Sequence, residues 1–362
     1  MALFTHEEFD HHEKVSFFHD QETGLKAIIA IHNSNLGPAL GGCRMWDYAT
    51  SEEALTDVLR LSRGMSYKSA LAGLPLGGGK SVIIGDARKI KTADLMRAMG
   101  RAVDSLGGAY IIAEDVGSSV QDMVAINEET DHVVGLPAKG DDVGGDPSPL
   151  TAYGVYVGLK TAAFHKFGVD TLKGLKVSVQ GVGNVGYHLC KLLHKDGAEL
   201  FITDVHQDSI DRVVEECGAT VVGLDEIYDL DVDIYAPCAL GGTVNDETLP
   251  RLKAKVIAGA ANNQLKRAKH GDALVEQDVL YAPDYVINAG GVINVYYEYN
   301  ARQSGKALKQ DEIYAHIDRI ADTMQEIIAL AEQKNISMAK AADELAEARF
   351  QNKTVSENGV AA

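Results

Sequence analysis

The chain has 362 residues, 46% of them hydrophobic and 24% charged, with a formal net charge of −18. That length and apolar content suffice for two domains with real cores, while the acidic balance argues against a nucleic-acid or membrane-surface partner. No apolar run is long enough to cross a bilayer. The amino terminus lacks an apolar signal core, and the cysteines Cys43, Cys190, Cys217 and Cys238 are scattered without a Cys-x-x-Cys pair. Reduced thiols and a cytoplasmic location are therefore expected. His6, His11 and His12 could ligate a metal, but the pattern reads better as a mobile, exposed terminus, and no metal site is assigned.

In chain order, the β-branched run 26–32 predicts a buried strand. It leads to a stretch containing Leu40, Gly41, Gly42, Cys43 and Arg44, read as a loop whose glycines present backbone N–H groups to a ligand. Thr50 and Glu53 form a capping box for a helix that turns Ala54, Leu55, Val58 and Leu61 inward and delivers Lys68. Between Lys68 and Lys80 the sequence is apolar and glycine-rich, with few charges to pair locally. Lysine is rarely buried unpaired, and desolvation drives such a group toward its neutral form. The functional reading is a pocket in which one lysine holds an anion and the other works as a base; a solvated lysine after a glycine turn is the competing one.

Gly79-Lys80-Ser81 ends like a nucleotide-binding P-loop, but Leu74 stands where that motif needs glycine, and a strand rather than a helix follows. The P-loop is rejected. A strand at 81–85, a helix at 93–106 and a strand at 109–113 come next, with Glu114 and Asp115 at the strand end, where α/β proteins place reactive groups and where caps also occur.

The segment 139–149 is the richest in chain breakers and marks the crossing between domains, with a connecting helix at 150–167. A strand then runs into Gly181-Val-Gly183-Asn-Val-Gly186 and a helix at 187–195, and the strand 200–204 ends on Asp204. Strand, glycine triplet, helix and acidic residue agree on a dinucleotide site. The backbone approaches a pyrophosphate on the helix N-terminus, and Asp204 accepts from a ribose hydroxyl, which favours NAD over NADP. Strand-like segments at 220–222, 233–236, 255–258 and 279–282 complete a doubly wound sheet. Gly259-Ala-Ala-Asn262-Asn263 and Asn288-Ala-Gly290-Gly291-Val292-Ile-Asn294-Val295 are polar strand ends suited to nicotinamide and substrate contacts. Ile313, Ile317, Ile320, Met324 and Ile327 predict helical packing onto the body rather than a coiled coil.

These residues carry a resemblance along nearly the whole chain. Leu40-Gly-Gly-Cys-Arg44, Gly64-Met65-Ser-Tyr-Lys68, Leu76-Gly-Gly-Gly-Lys80, Ala113-Glu-Asp115-Val-Gly and the two asparagine-rich stretches resemble the glutamate/leucine/phenylalanine/valine dehydrogenase family. One departure is Asp86-Ala87, where relatives often have Asp-Pro. The resemblance implies two α/β domains: a substrate-binding and oligomerisation domain, 1–147 joined by 330–362, and a Rossmann-type NAD-binding domain, 148–329, with an interdomain active-site cleft that closes on substrate. It further implies reversible NAD-dependent oxidative deamination of an L-amino acid to a 2-oxo acid and ammonium, in a homo-oligomer of eight copies.

Position by position, the resemblance makes Lys80 the base that activates water and Asp115 the group exchanging protons with the amine. Lys68 holds the carboxylate, and Gly41, Met65 and Asn262 orient substrate, Asn262 also nicotinamide. Gly181, Gly183, Asn184, Val185, Gly186, Asp204, Cys238, Ala239 and Asn288 complete the cofactor set. Glutamate-specific relatives carry Lys immediately before the glycine pair, where this chain has Leu40. With Ala113, Val292 and Val295 it implies an apolar pocket for leucine, valine or isoleucine. A valine- or aromatic-preferring enzyme and a silent NAD-binding protein are the alternatives.

Overall fold

The computed structural model describes residues 3–137 and 146–351; most of the predicted crossing segment lies outside these. The described chain forms two compact units, divided between Gly145 and Asp146, with Glu298–Lys306 and the end of the chain from Leu345 returning to the first.

In the first unit, β1 (Lys14–Asp20), β2 (Leu25–Asn33), β3 (Ala39–Trp46), α1 (Ser51–Leu71), β4 (Gly77–Ile84), α2 (Ala87–Ile90), α3 (Ala93–Asp104), β5 (Tyr110–Glu114) and α4 (Val120–Asn127) follow one another. The strands form one sheet in the order β1-β2-β4-β3-β5; β1–β2 and β2–β4 are antiparallel, and β4–β3 and β3–β5 parallel. Alternation along the strands splits the core into two layers. Ile28, Ala30 and Val82 meet Val58 and Leu59 of α1, whereas Ile29, Cys43, Ile83 and Ile112 meet Met96 and Met99 of α3.

Three expectations are corrected here. The glycines 77–79 and Gly41–Gly42 are not in loops; they lie inside β4 and β3. Their role is the missing Cβ. A Cβ at Gly78 would overlap the backbone of Ser66, and one at Gly41 the Gly79 carbonyl. α1 thus sits directly on β4, and its buried stripe passes from Leu55, Val58 and Leu59 to Ser62, Ser66 and Ser69, small residues that fit against a bare backbone. Leu61, expected inward, is only half-buried. The Thr50 hydroxyl caps Glu53 N–H as predicted, but the Glu53 carboxylate reaches back to Ala49 N–H at 3.0 Å rather than to Thr50.

The amino terminus is likewise anchored rather than exposed. His6 and His12 are buried; His6 Nε2 lies 3.1 Å from Thr56 Oγ1, and His12 Nε2 lies 3.0 Å from both the Leu59 carbonyl and Ser62 Oγ on α1. Serine and threonine on the helix supply the polar partners that buried imidazoles require.

The second unit runs α5 (Ser148–Phe167), β6 (Lys176–Gln180), α6 (Asn184–Lys195), β7 (Glu199–Thr203), α7 (Gln207–Cys217), β8 (Thr220–Val221), β9 (Ile234–Pro237), β10 (Val256–Ile257), α8 (Ala268–Glu276), β11 (Leu280–Tyr281), α9 (Asp284–Ile287), α10 (Gly290–Ser304), α11 (Gln310–Asp318), α12 (Ile320–Lys334) and α13 (Met338–Gln351). Its sheet is parallel, ordered β11-β10-β9-β6-β7-β8. Strand order reverses at β6, the switch point at which doubly wound sheets bind ligands. In the tail, residues 307–344 belong to the second unit: buried Ile313, Ile317, Ile320, Met324 and Ile327 carry α11 and α12 onto α5, and the start of α13 follows, with Lys340 donating to Asp272 and the Tyr285 hydroxyl to Asp343. The end of α13 packs in the first unit, with the Tyr67 hydroxyl donating to Glu347 at 2.6 Å. Among the described residues, no helix is long and apolar enough to cross a membrane.

Candidate active site

The register of the first sheet sets up the site. Gly42 lies opposite Ala113 on β5, and the pairing of Leu40 with Gly78 and Cys43 with Ser81 brings Lys80 level with it on β4. Lys80 therefore faces the end of β5 across a strand position with no side chain. Its ammonium crosses that gap and donates to Asp115 Oδ2, one residue past β5. A Cβ on Gly42 would stand 2.8 Å from the Asp115 Cβ and 3.2 Å from Lys80 Nζ. Gly42 is what lets the pair meet.

Lys80 is 7% exposed. Burial alone would push the Asp115 carboxyl up, but Lys80 and then Arg44 outweigh it, and the net shift is downward. The Asp115 N–H donates to Ser118 Oγ at 2.9 Å, and that hydroxyl donates to the Cys43 carbonyl at 2.8 Å, fixing the turn after β5. The Cys43 thiol, deep on the other face, is pushed up to about 12 by burial; it is inert packing. Leu40, on the same face as Gly42 by alternation, is buried, and Ala113 is half-buried. Met65 and Lys68 are half-buried on consecutive turns of α1, flanking Ser66, whose Oγ lies 2.8 Å from His32 Nδ1. The Gly41 carbonyl accepts from the Tyr110 hydroxyl at 2.7 Å.

Sequence reasoning gave no role to Ser118 or Arg44, and read Gly42 as a loop residue presenting its backbone N–H to a ligand. Arg44 sits two residues after Gly42, on the same face, with Nε 3.4 Å from Asp115 Oδ2 and Nη1 2.9 Å from Asp57 Oδ2. Strand alternation was the available signal, hidden while the glycine pair was read as a loop. A cavity of about 690 Å³ is lined by Arg44, Trp46, Tyr48, Glu53, Asp57 and Val116; Lys68, Lys80 and Asp115 are not among its walls.

In the second unit Gly181 adopts φ +94° against Ala239, and a Cβ on Gly186 would overlap the Gly181 carbonyl. A Cβ on Gly183 would meet nothing within 4 Å. Asn184 and Val185 open α6, whose first turn has no side-chain cap, leaving its N–H groups for an anion. Asp204 accepts from Val182 N–H at 2.7 Å and His206 N–H at 2.9 Å, and its remaining lone pairs can still take a hydroxyl. Asn288 Nδ2 donates to Asn262 Oδ1 at 2.8 Å and to the Ala260 carbonyl at 3.2 Å, while Cys238 Sγ accepts from Ala260 N–H at 3.5 Å. These groups gather beyond the ends of β9 and β10 and fit a dinucleotide. Val292 and Val295 are half-buried on α10. Among the described residues no cluster of histidine, cysteine or carboxylates could hold a metal.

A parallel doubly wound unit with an open glycine turn, and a second α/β unit carrying a buried lysine–carboxylate pair, define a two-domain dehydrogenase. A family model described as the Glu/Leu/Phe/Val dehydrogenase dimerisation domain matches residues 12–132, and the Glutamate/Leucine/Phenylalanine/Valine dehydrogenase model matches 146–206 and 199–357. The chain is 55% identical over 351 residues to leucine dehydrogenase of Bacillus cereus, covering 97% of this chain and 94% of that one. It is 54% identical over 353 residues to leucine dehydrogenase of Bacillus subtilis, with 97% and 94% covered. The crystal structure of L-tryptophan dehydrogenase from Nostoc punctiforme matches with a TM-score of 0.84 at 45% identity, covering 95% of this chain and 97% of that one. The chain belongs to the Glu/Leu/Phe/Val dehydrogenase family. It is an NAD(P)-dependent amino acid dehydrogenase.

Proposed function

We propose that the protein catalyses the reversible, NAD-dependent oxidative deamination of branched-chain aliphatic L-amino acids, with leucine the preferred substrate. The observation that carries this reading is Leu40, buried on the face of β3 that also carries Gly42. An ionised side chain brought against Leu40 and Ala113 would lose its hydration without gaining a partner. A branched aliphatic chain buries its methyls there, at roughly 0.8 kcal/mol per carbon. Val292 and Val295 are assigned to the substrate side chain as well. The leucine dehydrogenases at 54–55% identity support the same choice.

The dinucleotide, when bound, supplies the hydride acceptor. Lys68 pairs with the α-carboxylate, helped by Met65 and the Gly41 backbone. Lys80 takes the proton from a water that adds to the imino carbon, and Asp115 carries protons to and from the amino nitrogen, so that the carbinolamine collapses to the 2-oxo acid and ammonium. Asn262, held by Asn288, orients the reacting carbon and the nicotinamide amide. Gly181, Gly183, Asn184, Val185 and Gly186 take the pyrophosphate, Asp204 the ribose, and Cys238 and Ala239 line the same site. Asp204 repels a 2′-phosphate, which favours NAD over NADP. The protein works as a homo-oligomer of eight copies; the dimerisation model matching residues 12–132 supports self-association, and light scattering measures the number.

The test is kcat/KM for L-leucine, L-valine, L-phenylalanine and L-glutamate at fixed NAD. Leucine should lead, valine should follow within about tenfold, since the one methylene that distinguishes them is worth about 0.8 kcal/mol, and glutamate should fall on the order of 10³-fold or more. Glutamate within tenfold of leucine would overturn the role of Leu40. Phenylalanine well above leucine would place the enzyme with the aromatic-preferring relatives.

A further inference from the structure

We propose that Arg44 is the positioning residue for Asp115: its guanidinium, anchored on Asp57, steers the carboxylate over the gap at Gly42 and takes it over whenever Lys80 turns to substrate or water. The inference rests on the role given to Asp115 above and assigns a function to a residue that role leaves unused.

Three observations carry it. First, Lys80 Nζ and Arg44 Nε approach the same oxygen, Asp115 Oδ2, from different strands. Lys80 makes the hydrogen bond, whereas Arg44 Nε is 3.4 Å away, fully buried and without a hydrogen-bond partner. A buried donor left unbonded beside a carboxylate is costly unless another state satisfies it, and release of Oδ2 by Lys80 provides that state. Second, the other end of the guanidinium is fixed. Asp57 Oδ2 accepts from Arg44 Nη1 at 2.9 Å and from the Tyr48 hydroxyl at 2.7 Å, and Asp57 Oδ1 accepts from Arg60 Nη2 at 3.2 Å. The planar fork therefore keeps its direction. Third, Asp115 lies beyond its strand end, where Ser118 ties its backbone and the Val116 backbone bonds its carboxylate, so the cationic side chains that hold it are Lys80 and Arg44.

Among the described residues, the charged and titratable groups that act on or around this carboxylate are Lys80 from β4, Arg44 and Tyr48 from β3 and its continuation, Asp57 from α1, and, from the other face of the sheet, Cys43 and Tyr110, with Asp122 and its partner Lys91 beyond Cys43. Burial pushes Cys43, Tyr48 and Tyr110 up, so they stay neutral near pH 7. Arg44 loses to burial but gains more from Asp115 and Asp57, and it remains charged. With Lys80 engaged elsewhere, Arg44 is the cation that holds Asp115 as an anion.

The decisive measurement is the acid limb of the pH profile of kcat for L-leucine at saturating substrate and NAD, which reports groups of the enzyme–substrate complex, where Lys80 is engaged elsewhere. Arg44→Gln should raise that limb by about one pH unit, since an adjacent Arg lowers a carboxylate by about 1–3. Arg44→Lys should restore it in part, because the charge returns without the fork. Asp57→Asn should move the limb the other way: it removes a nearby negative charge and leaves the guanidinium to Asp115 alone. A purely structural role would damage kcat in Arg44→Gln and Asp57→Asn without displacing their limbs in opposite directions. An unmoved limb in Arg44→Gln overturns the proposal; if that variant does not fold, a limb unmoved or raised in Asp57→Asn does so. Asp115→Asn separates this from the function itself. If that variant keeps its turnover, the role of Asp115 fails; if it loses turnover while the Arg44→Gln limb stays put, only the role of Arg44 fails.

Discussion

Glycine clusters near both sites, and the two units use it for opposite purposes. In the second unit Gly181 takes φ +94° and bends the chain between β6 and α6. That is backbone freedom, a conformation few other residues tolerate. In the first unit Gly41, Gly42, Gly77, Gly78 and Gly79 have no positive φ and sit in extended strands. There the missing Cβ matters: one gap admits α1 onto β4, another lets Lys80 reach Asp115 across β3. The same residue type makes a cradle in one unit and a passage in the other, and only neighbouring strands tell them apart.

That contrast can be broken by removing chemistry from one unit and asking whether the other notices. The largest effect expected is from Lys80→Ala. Loss of a general base costs about 10²–10⁴ in rate, so kcat should fall in that range while NAD affinity, measured by fluorescence titration, stays within twofold. Near-normal kcat would remove Lys80 from the mechanism, and a matching loss of NAD affinity would show that the units do not divide the labour.

Next comes a pair of glycine substitutions. Gly42→Ala puts a methyl 2.8 Å from the Asp115 Cβ and should lower kcat by about 10²-fold, the cost of a misplacement near 1 Å, with NAD binding unchanged. Gly181→Ala combines positive φ with a clash at Ala239 and should abolish NAD binding first. If both variants lose NAD binding equally, the distinction between passage and cradle is wrong.

A smaller effect is expected from Asp204→Ala. Hydrogen bonds to charged groups are worth about 1.5–3 kcal/mol, so KM for NAD should rise tenfold or more and discrimination against NADP should shrink. A wild-type enzyme that already accepts NADP as well as NAD would refute the role of Asp204.

The difference between the units also explains what could be read from the sequence. The second unit was legible because its signal is local: strand, glycine triplet, helix and Asp204 lie within one short stretch, and the structure places β6, α6 and β7 there. In the first unit the reactive residues were legible by type, but their arrangement was not. Gly42 separates Lys80 from Asp115 only once β4, β3 and β5 are placed side by side, and a glycine pair in one dimension looks like a turn. The division of the tail was hidden for a related reason. It falls inside one helix, α13, where Lys340 and Asp343 meet Asp272 and Tyr285 of the second unit and Glu347 meets Tyr67 of the first, partners that lie far along the chain. Of the histidines near the amino terminus, His11 is exposed as expected, but His6 and His12 were misread because their partners, Thr56, Leu59 and Ser62, come from α1, far along the chain.

Those histidines give the smallest expected effect, and it belongs to the first unit. His12 is 7% exposed, and burial brings its pKa from 6.5 down to about 4; a hydrogen bond to the Leu59 carbonyl opposes this, and neighbouring His32 adds to it. His32 is lowered too, again by burial first. A depressed folded-state pKa means that the unfolded chain binds the proton first as pH falls. The native state is then penalised progressively from about pH 6.5 toward pH 4, and nothing is lost above pH 6.5. The full penalty for His12 is about 3 kcal/mol, with about 2 kcal/mol felt by pH 5, before most carboxylates titrate. His12→Gln is the informative variant, because the glutamine amide can reach the same acceptors without titrating. Urea denaturation of wild type and His12→Gln at pH 7, 6 and 5 should give stabilities that agree best at pH 7 and separate toward pH 5, where wild type has lost about 2 kcal/mol that the variant keeps, with His32 leaving some slope in both. Parallel curves across that range would mean that His12 is protonated in the native state or loosely held, and that the amino terminus is not pinned to α1 in solution.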